Sequence, residues 1–255
     1  MQADGKTLPE LQAEHPPAPR RHKDPRNGEP TEQSPVRNYV RDLVLGLNDG
    51  IVSVYALVAG IAGASFSAGQ VGIAGVAATL AGALSMGLGE YLSTKSQSQY
   101  YAAEARRERE HIRDYPQLEQ EELHEMLTAK GYPPSLIDDM VRYLSESEDR
   151  FVEFMMREEF GVGKESDRSP VSAMLVIMVA FVAGALLPVL PFFLIPAHGL
   201  AAASAASIAG LFAAGAAKGR ASGLPMLRSG LEMAALGSLA AIATYLVGRA
   251  FGVAA

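Results

Sequence analysis

Apolar positions along the chain gather into five long runs almost free of charge: Leu43–Ala64, Val71–Leu92, Val171–Ile195, Leu200–Ala217 and Leu231–Val253. A helix of roughly 20 apolar residues crosses a bilayer, so the pattern predicts five transmembrane helices. The second and fourth runs are rich in Gly and Ala. Between runs two and three, over residues 96–169, the pattern turns polar and keeps a helical period. "SQSQYYAAEARREREHIRDY" contains no breaker and continues span two beyond the membrane until Pro116. "PQLEQEELHEMLTAKG" reads as a short helix stopped at Gly131. "PPSLIDDMVRYLSESEDRFVEFMMREEFGVG" opens on Pro and closes on Gly, with Leu136, Met140, Tyr143 and Leu144 on one stripe. The expected fold is an all-α membrane protein: five transmembrane helices and a three-helix cytoplasmic insertion between spans two and three.

Four segments follow. Residues 1–36 ("HPPAPRRHKDPRNGEPTEQSP" and its flanks) hold no apolar core and read as a disordered cytoplasmic arm. Residues 37–95 carry spans one and two, 96–169 the acidic helices, and 170–255 spans three to five.

Lys and Arg next to span ends mark the cytoplasmic side. Arg37 and Arg41 precede span one, while Lys95, Arg106 and Arg107 follow span two. Lys164 and Arg168 precede span three, and Lys218, Arg220 and Arg228 lie between spans four and five. The opposite connections, "SFSAGQ" and "PVLPFFLIPAHG", carry no Lys or Arg and one histidine, His198. The N-terminus and the insertion are therefore expected in the cytoplasm and the C-terminus outside. Arg249, near that outer end, can snorkel to the interface.

Composition narrows the chemistry. There is no cysteine, so a metal must be held by carboxylate, imidazole, carbonyl or thioether groups. The net charge of −6 is not spread evenly. From Glu104 to Arg168 there are 18 Asp and Glu against ten Lys and Arg, a net of −8. Within this region Glu104, Glu108 and His111 share a helix face, Glu119 and Glu122 are three apart, and Met155 or Met156 shares a face with Glu159. Oxygen, imidazole and thioether together suit a borderline divalent ion. The same spacing also fits a solvated acidic face with Met as core filler.

The spans hold acids of their own. Asp49 lies roughly 10 Å inside the cytoplasmic edge at 1.5 Å per residue. Met86 lies at similar depth in span two, Glu90 one turn nearer the cytosol, and Glu232 at the start of span five. No Lys or Arg is expected at that depth. Intramembrane acids are ion ligands or proton carriers unless they snorkel to the interface, and the latter reading also fits Glu90 and Glu232. Gly46 and Gly50 flank Asp49, so a partner helix or an ion can approach it closely. Gly82, Ser85 and Gly89 suit close helix contact in span two.

"RDLVLGLNDGIVSVYALVAGIAGA", "GALSMGLGEYLSTKS", "FMMREEFG", "LLPVLPFF", "AKGR" and "RSGLEMAALG", in this order, resemble the vacuolar iron transporter family from Arg37 to about Phe251. The resemblance implies a homodimer of five-span protomers with a metal path between the copies. It further implies export of Fe²⁺, and of Mn²⁺ and other divalent ions, from the cytosol in exchange for protons. By this resemblance Asp49 and Met86 line the path, and Glu108, Glu119, Glu122, Met155, Met156 and Glu159 bind metal in the insertion. Two positions depart from the pattern. His111 stands where a glutamate is expected, and Ala78 stands where some relatives carry one.

The expected function is a divalent-metal/proton antiporter, not an enzyme. Its partners are a second copy, the bilayer, metal ions and protons, with no prosthetic group and no nucleic acid. A membrane-anchored metal-binding or sensing protein is the alternative, though it would not need Asp49 and Met86 within the membrane. A bacterial inner membrane is preferred over a vacuolar one.

Overall fold

A computed structural model describes residues 35–161 and 168–252. The expected disordered arm up to Ser34, Lys164, and the expected end of span five at Val253 lie outside the described residues. Five long apolar helices make this an integral membrane protein: α1 (Pro35–Gly63), α2 (Ala68–Asp114), α6 (Pro170–Leu194), α7 (Gly199–Ala221) and α8 (Met226–Gly252). Between α2 and α6 stand α3 (Pro116–Ala129), α4 (Pro134–Ser145) and α5 (Glu148–Phe160). No strand occurs among the described residues.

Local chemistry sets the ends of these helices. At the start of α2, Ser67 and Gln70 form a reciprocal capping box, with the Ser67 backbone N–H donating to Gln70 Oε1 at 3.0 Å. At α6, Pro170 takes the first helical position, where no N–H is needed, and Ser169 Oγ accepts from the Ser172 N–H. Helix α5 stops at Gly161, whose φ of 62° suits a residue without Cβ.

The spans pack through two apolar cores. One joins Val54, Tyr55 and Val58 of α1 to Val71 and Ala83 of α2 and to Phe181, Ala185 and Val189 of α6. A smaller one joins Ile51 of α1, Leu211 of α7 and Ala234 of α8. Backbones come closest where side chains vanish. A Cβ at Gly46 or Gly50 would strike the α6 backbone at Ile177 or Phe181, and one at Gly184 would strike α1 at Leu47. Toward the opposite end of α1, Thr244 Oγ1 of α8 donates to the Ala56 carbonyl at 2.5 Å.

As the sequence predicts, α2 runs unbroken for 47 residues and carries the second span straight into the polar insertion. The insertion has its own core of Leu123, Leu127, Ile137, Leu144, Phe151 and Met155, closed by Ile112 from α2. Here the structure corrects one expectation. The segment from Pro134 to Phe160 is two helices, not one, broken at Glu146–Ser147. Ser147 caps the second, and Glu148 and Asp149 fill its first turn, where negative charge meets the helix N-terminus. The break also changes the buried stripe of α4. Ile137 and Leu144 face inward, while Leu136 and Tyr143 are exposed. The Tyr143 ring instead carries the Arg150 guanidinium, 4.1 Å from its centroid.

Candidate metal path

Helix α1 presents Asp49 between two glycines, and the close approach those glycines allow is taken up by α6 of the same chain. Asp49 is half-buried beside this contact. Ser53, one turn on, donates its hydroxyl to the Asp49 backbone carbonyl at 2.5 Å, which leaves the carboxylate itself uncommitted by that bond. Met86 on α2 is also half-buried and packs against the cluster that contains Val54 and Phe181. Of the three small residues predicted to favour close contact in α2, Gly82 meets the Phe181 ring, Ser85 is exposed, and Gly89 has open space.

One turn below Met86 the expectation of unneutralised acids fails. Glu90 accepts from Thr94 Oγ1 at 3.1 Å and from Arg168 Nη2 at 3.4 Å. The same Nη2 pairs with Asp42, which is 1% exposed. Sequence reading missed this triad because Arg168 is 126 residues from Asp42 and was counted as a boundary charge. The available signal was that Asp42 precedes Asp49 by seven residues, nearly two full turns, and so shares its face. Glu232 is exposed on α8 and is not drawn into this group.

The insertion gathers most of the other predicted residues. Glu108 on α2 and Glu119 on α3 are both buried. Burial pushes the Glu108 carboxyl up to about 7, and the negative charges of Glu119, Glu159 and Glu122 push in the same direction. Burial also raises Glu119, reinforced by Glu122 and opposed by His111. Glu159 is raised by burial and by Glu122, Glu119 and Glu104. His111 Nδ1 lies 3.5 Å from Glu119, while Glu104 is engaged by Arg107 at 3.6 Å.

Glu108 Oε1 is buried with no hydrogen-bond partner. Such an orphaned acceptor is costly unless something positive meets it. Met156 is buried near the end of α5, whereas Met155 is fully buried in the insertion core, the place of a packing residue. Among the described residues no group of three or more His, Asp or Glu side chains already surrounds a metal-sized point. The arrangement is therefore a pool of under-compensated carboxylates around Glu108, able to attract cations and to exchange them for protons.

The VIT family profile matches residues 40–249 of the chain. Vacuolar iron transporter 1 of Arabidopsis thaliana is 38% identical over 213 residues, covering 82% of this chain and 85% of the relative. The protein of the same name from Tulipa gesneriana is 35% identical, covering 83% and 86%. Protein CCC1 of Saccharomyces cerevisiae is 30% identical over 158 residues, covering 61% and 49%.

Proposed function

The chain belongs to the VIT family, and on that premise we propose that it moves Fe²⁺ across its membrane, from the cytosol outward, in exchange for protons. The observation that carries this reading is the pairing of chemistry with place. A carboxylate, Asp49, and a thioether, Met86, sit half-buried in neighbouring helices of an integral membrane protein. Oxygen and sulfur together favour Fe²⁺ over Mg²⁺ or Ca²⁺, and the family resemblance extends the proposal to Mn²⁺. Two copies related by a two-fold axis would double this set to two carboxylates and two thioethers around a shared path. That replaces part of the water shell an ion must shed.

Glu108, Glu119, Glu122, Glu159, Met156 and His111 serve as the capture site on the cytosolic side. Negative potential there raises the local concentration of cations below the path. Protonation of the Asp49 carboxylates in the path weakens their hold and releases metal, which supplies the coupling to H⁺. The names of the relatives favour a vacuole-type membrane, and nothing in them supports the bacterial inner membrane preferred from sequence alone.

The test is flux. Purified protein in sealed liposomes should move Fe²⁺ while an internal dye reports opposite proton movement. Asp49→Ala should abolish both and still elute as folded protein. Wild-type rates in that variant would overturn the assignment.

A further inference from the structure

Three helices meet at the inner mouth of the spans through one cation. Asp42 belongs to α1, Glu90 to α2, and Arg168 directly precedes the cap of α6. The Asp42 carboxylate is 2% exposed, the Arg168 side chain 13% and the Glu90 side chain 18%. Asp42 stands two turns below Asp49 on the same face of α1, and Glu90 stands one turn below Met86 on the same face of α2. An ion travelling from the insertion toward Asp49 and Met86 therefore meets this pair of carboxylates first, and finds a guanidinium already on them.

How Arg168 holds them is informative. A guanidinium built to clip helices together uses its fork, with two parallel bonds to one carboxylate. Arg168 instead reaches both acids through a single nitrogen, Nη2. Its Nε is buried with no partner. The contact is incomplete on the cation's side: Arg168 alone does not balance the two acids, and Arg41 of α1 supplies the other positive charge acting on Asp42. A second resting place is at hand, because the guanidinium already lies 5.5 Å from the Tyr39 ring centroid, within reach of a cation–π contact.

We propose that Arg168 is a tethered competitor for the divalent ion: it occupies the Asp42 and Glu90 carboxylates in the metal-free protein, and an arriving ion displaces it to take them. The proposal rests on the transport reading for its purpose, but the exchange is a binding event with its own readout. Because an arginine stays charged at any working pH, Arg168 sets a fixed threshold. Monovalent ions gain too little from two carboxylates to displace it, while a divalent ion gains about twice the Coulomb energy at the same separation.

The position of the guanidinium can be read on the unmodified full-length protein in detergent. Phenylglyoxal labelling of Arg168, followed by peptide mass spectrometry and normalised to Arg249, should rise when Mn²⁺ is added and stay flat with Na⁺. Labelling that is unchanged or lowered by Mn²⁺ would overturn the proposal. In a Glu108→Ala, Glu119→Ala, Glu122→Ala background, which removes carboxylates of the insertion, Arg168→Gln should lower the half-saturating Mn²⁺ concentration about tenfold, the scale of removing one nearby charge from a partly buried site. Arg168→Lys should stay near the parent value. A folded Arg168→Gln protein with equal or weaker Mn²⁺ binding would make Arg168 a structural clip and sink the idea. If Arg168→Gln does not fold, the labelling decides alone. Metal-sensitive labelling in a protein that carries no flux would leave the exchange standing and remove the transport reading, and the reverse pair of results would do the opposite.

Discussion

Glu108 concentrates the chemistry of the insertion in one side chain. Its folded pKa of about 7 exceeds the ordinary 4.5, so the native state binds a proton more tightly than the unfolded chain does. The sign follows: without metal, stability is greatest below about 4.5 and falls as pH rises through 7. A divalent ion reverses this by compensating the ionised group. Thermal melts between pH 5 and 8 should show a midpoint falling by several degrees, restored by Mn²⁺ at the alkaline end. Glu108→Gln should flatten both responses. Met86 tests the other donor type. Met86→Leu keeps the volume and removes the sulfur, at under about 1.5 kcal/mol of stability. Competition of Mg²⁺ against Fe²⁺ transport should become stronger, and overlaying competition curves would make Met86 a packing residue only. Asp49 stood out in the sequence as an acid inside an apolar run, whereas Met86 and Glu108 were singled out by depth or spacing together with the family resemblance. Asp42 was not, because its significance depends on Arg168, and no spacing rule relates residues brought together only by the fold.

Among the elements, α1 meets both α6 and α8 backbone against backbone, at Gly50 and Gly184 with α6 and at Gly248 against Gly60 with α8, so one added methyl at these glycines has nowhere to go. Gly50→Ala should cost about 1–3 kcal/mol, as overpacking does, and lower the yield of folded protein. Gly131→Ala should be milder, since its Cβ would meet nothing and only its φ of +82° resists substitution. Melting temperatures in detergent compare the two. Helix existence was legible almost throughout, from run length in the membrane and from Pro and Gly at the ends of the insertion helices. The break at Ser147 was also written in "SESED" as a cap followed by acids, yet the apolar period running across it outweighed that local signal. Which glycine meets which helix was not legible, because small residues announce closeness without naming the partner.

At the scale of the molecule, the proposed function puts capture in the insertion and translocation in the spans, separate in space. Combined Glu108→Ala, Glu119→Ala and Glu122→Ala should therefore raise the half-saturating Fe²⁺ concentration more than it lowers maximal flux. A fall in maximal flux alone would place these carboxylates in the path itself. The proposed dimer has its own test at Gly89, which meets nothing within its own protomer. Gly89→Trp should leave the protomer folded and shift the particle toward monomer in size-exclusion chromatography with light scattering.

The unbroken α2 also has a mechanical consequence. From Met86 to Glu108 the rod spans 22 residues, about 33 Å at 1.5 Å per residue. It is a lever arm with its fulcrum in the bilayer. Tilting the second span by about 5° around Met86 would sweep Glu108 through about 3 Å, by the same geometry. That is comparable to a metal–ligand bond, so a small rocking of the span would open or close the carboxylate pool wherever α3 and α5 do not follow α2 through their shared core. Spin labels on the exposed far end of α2, referenced to the membrane, would report that swing as a distance change larger than any within the spans themselves.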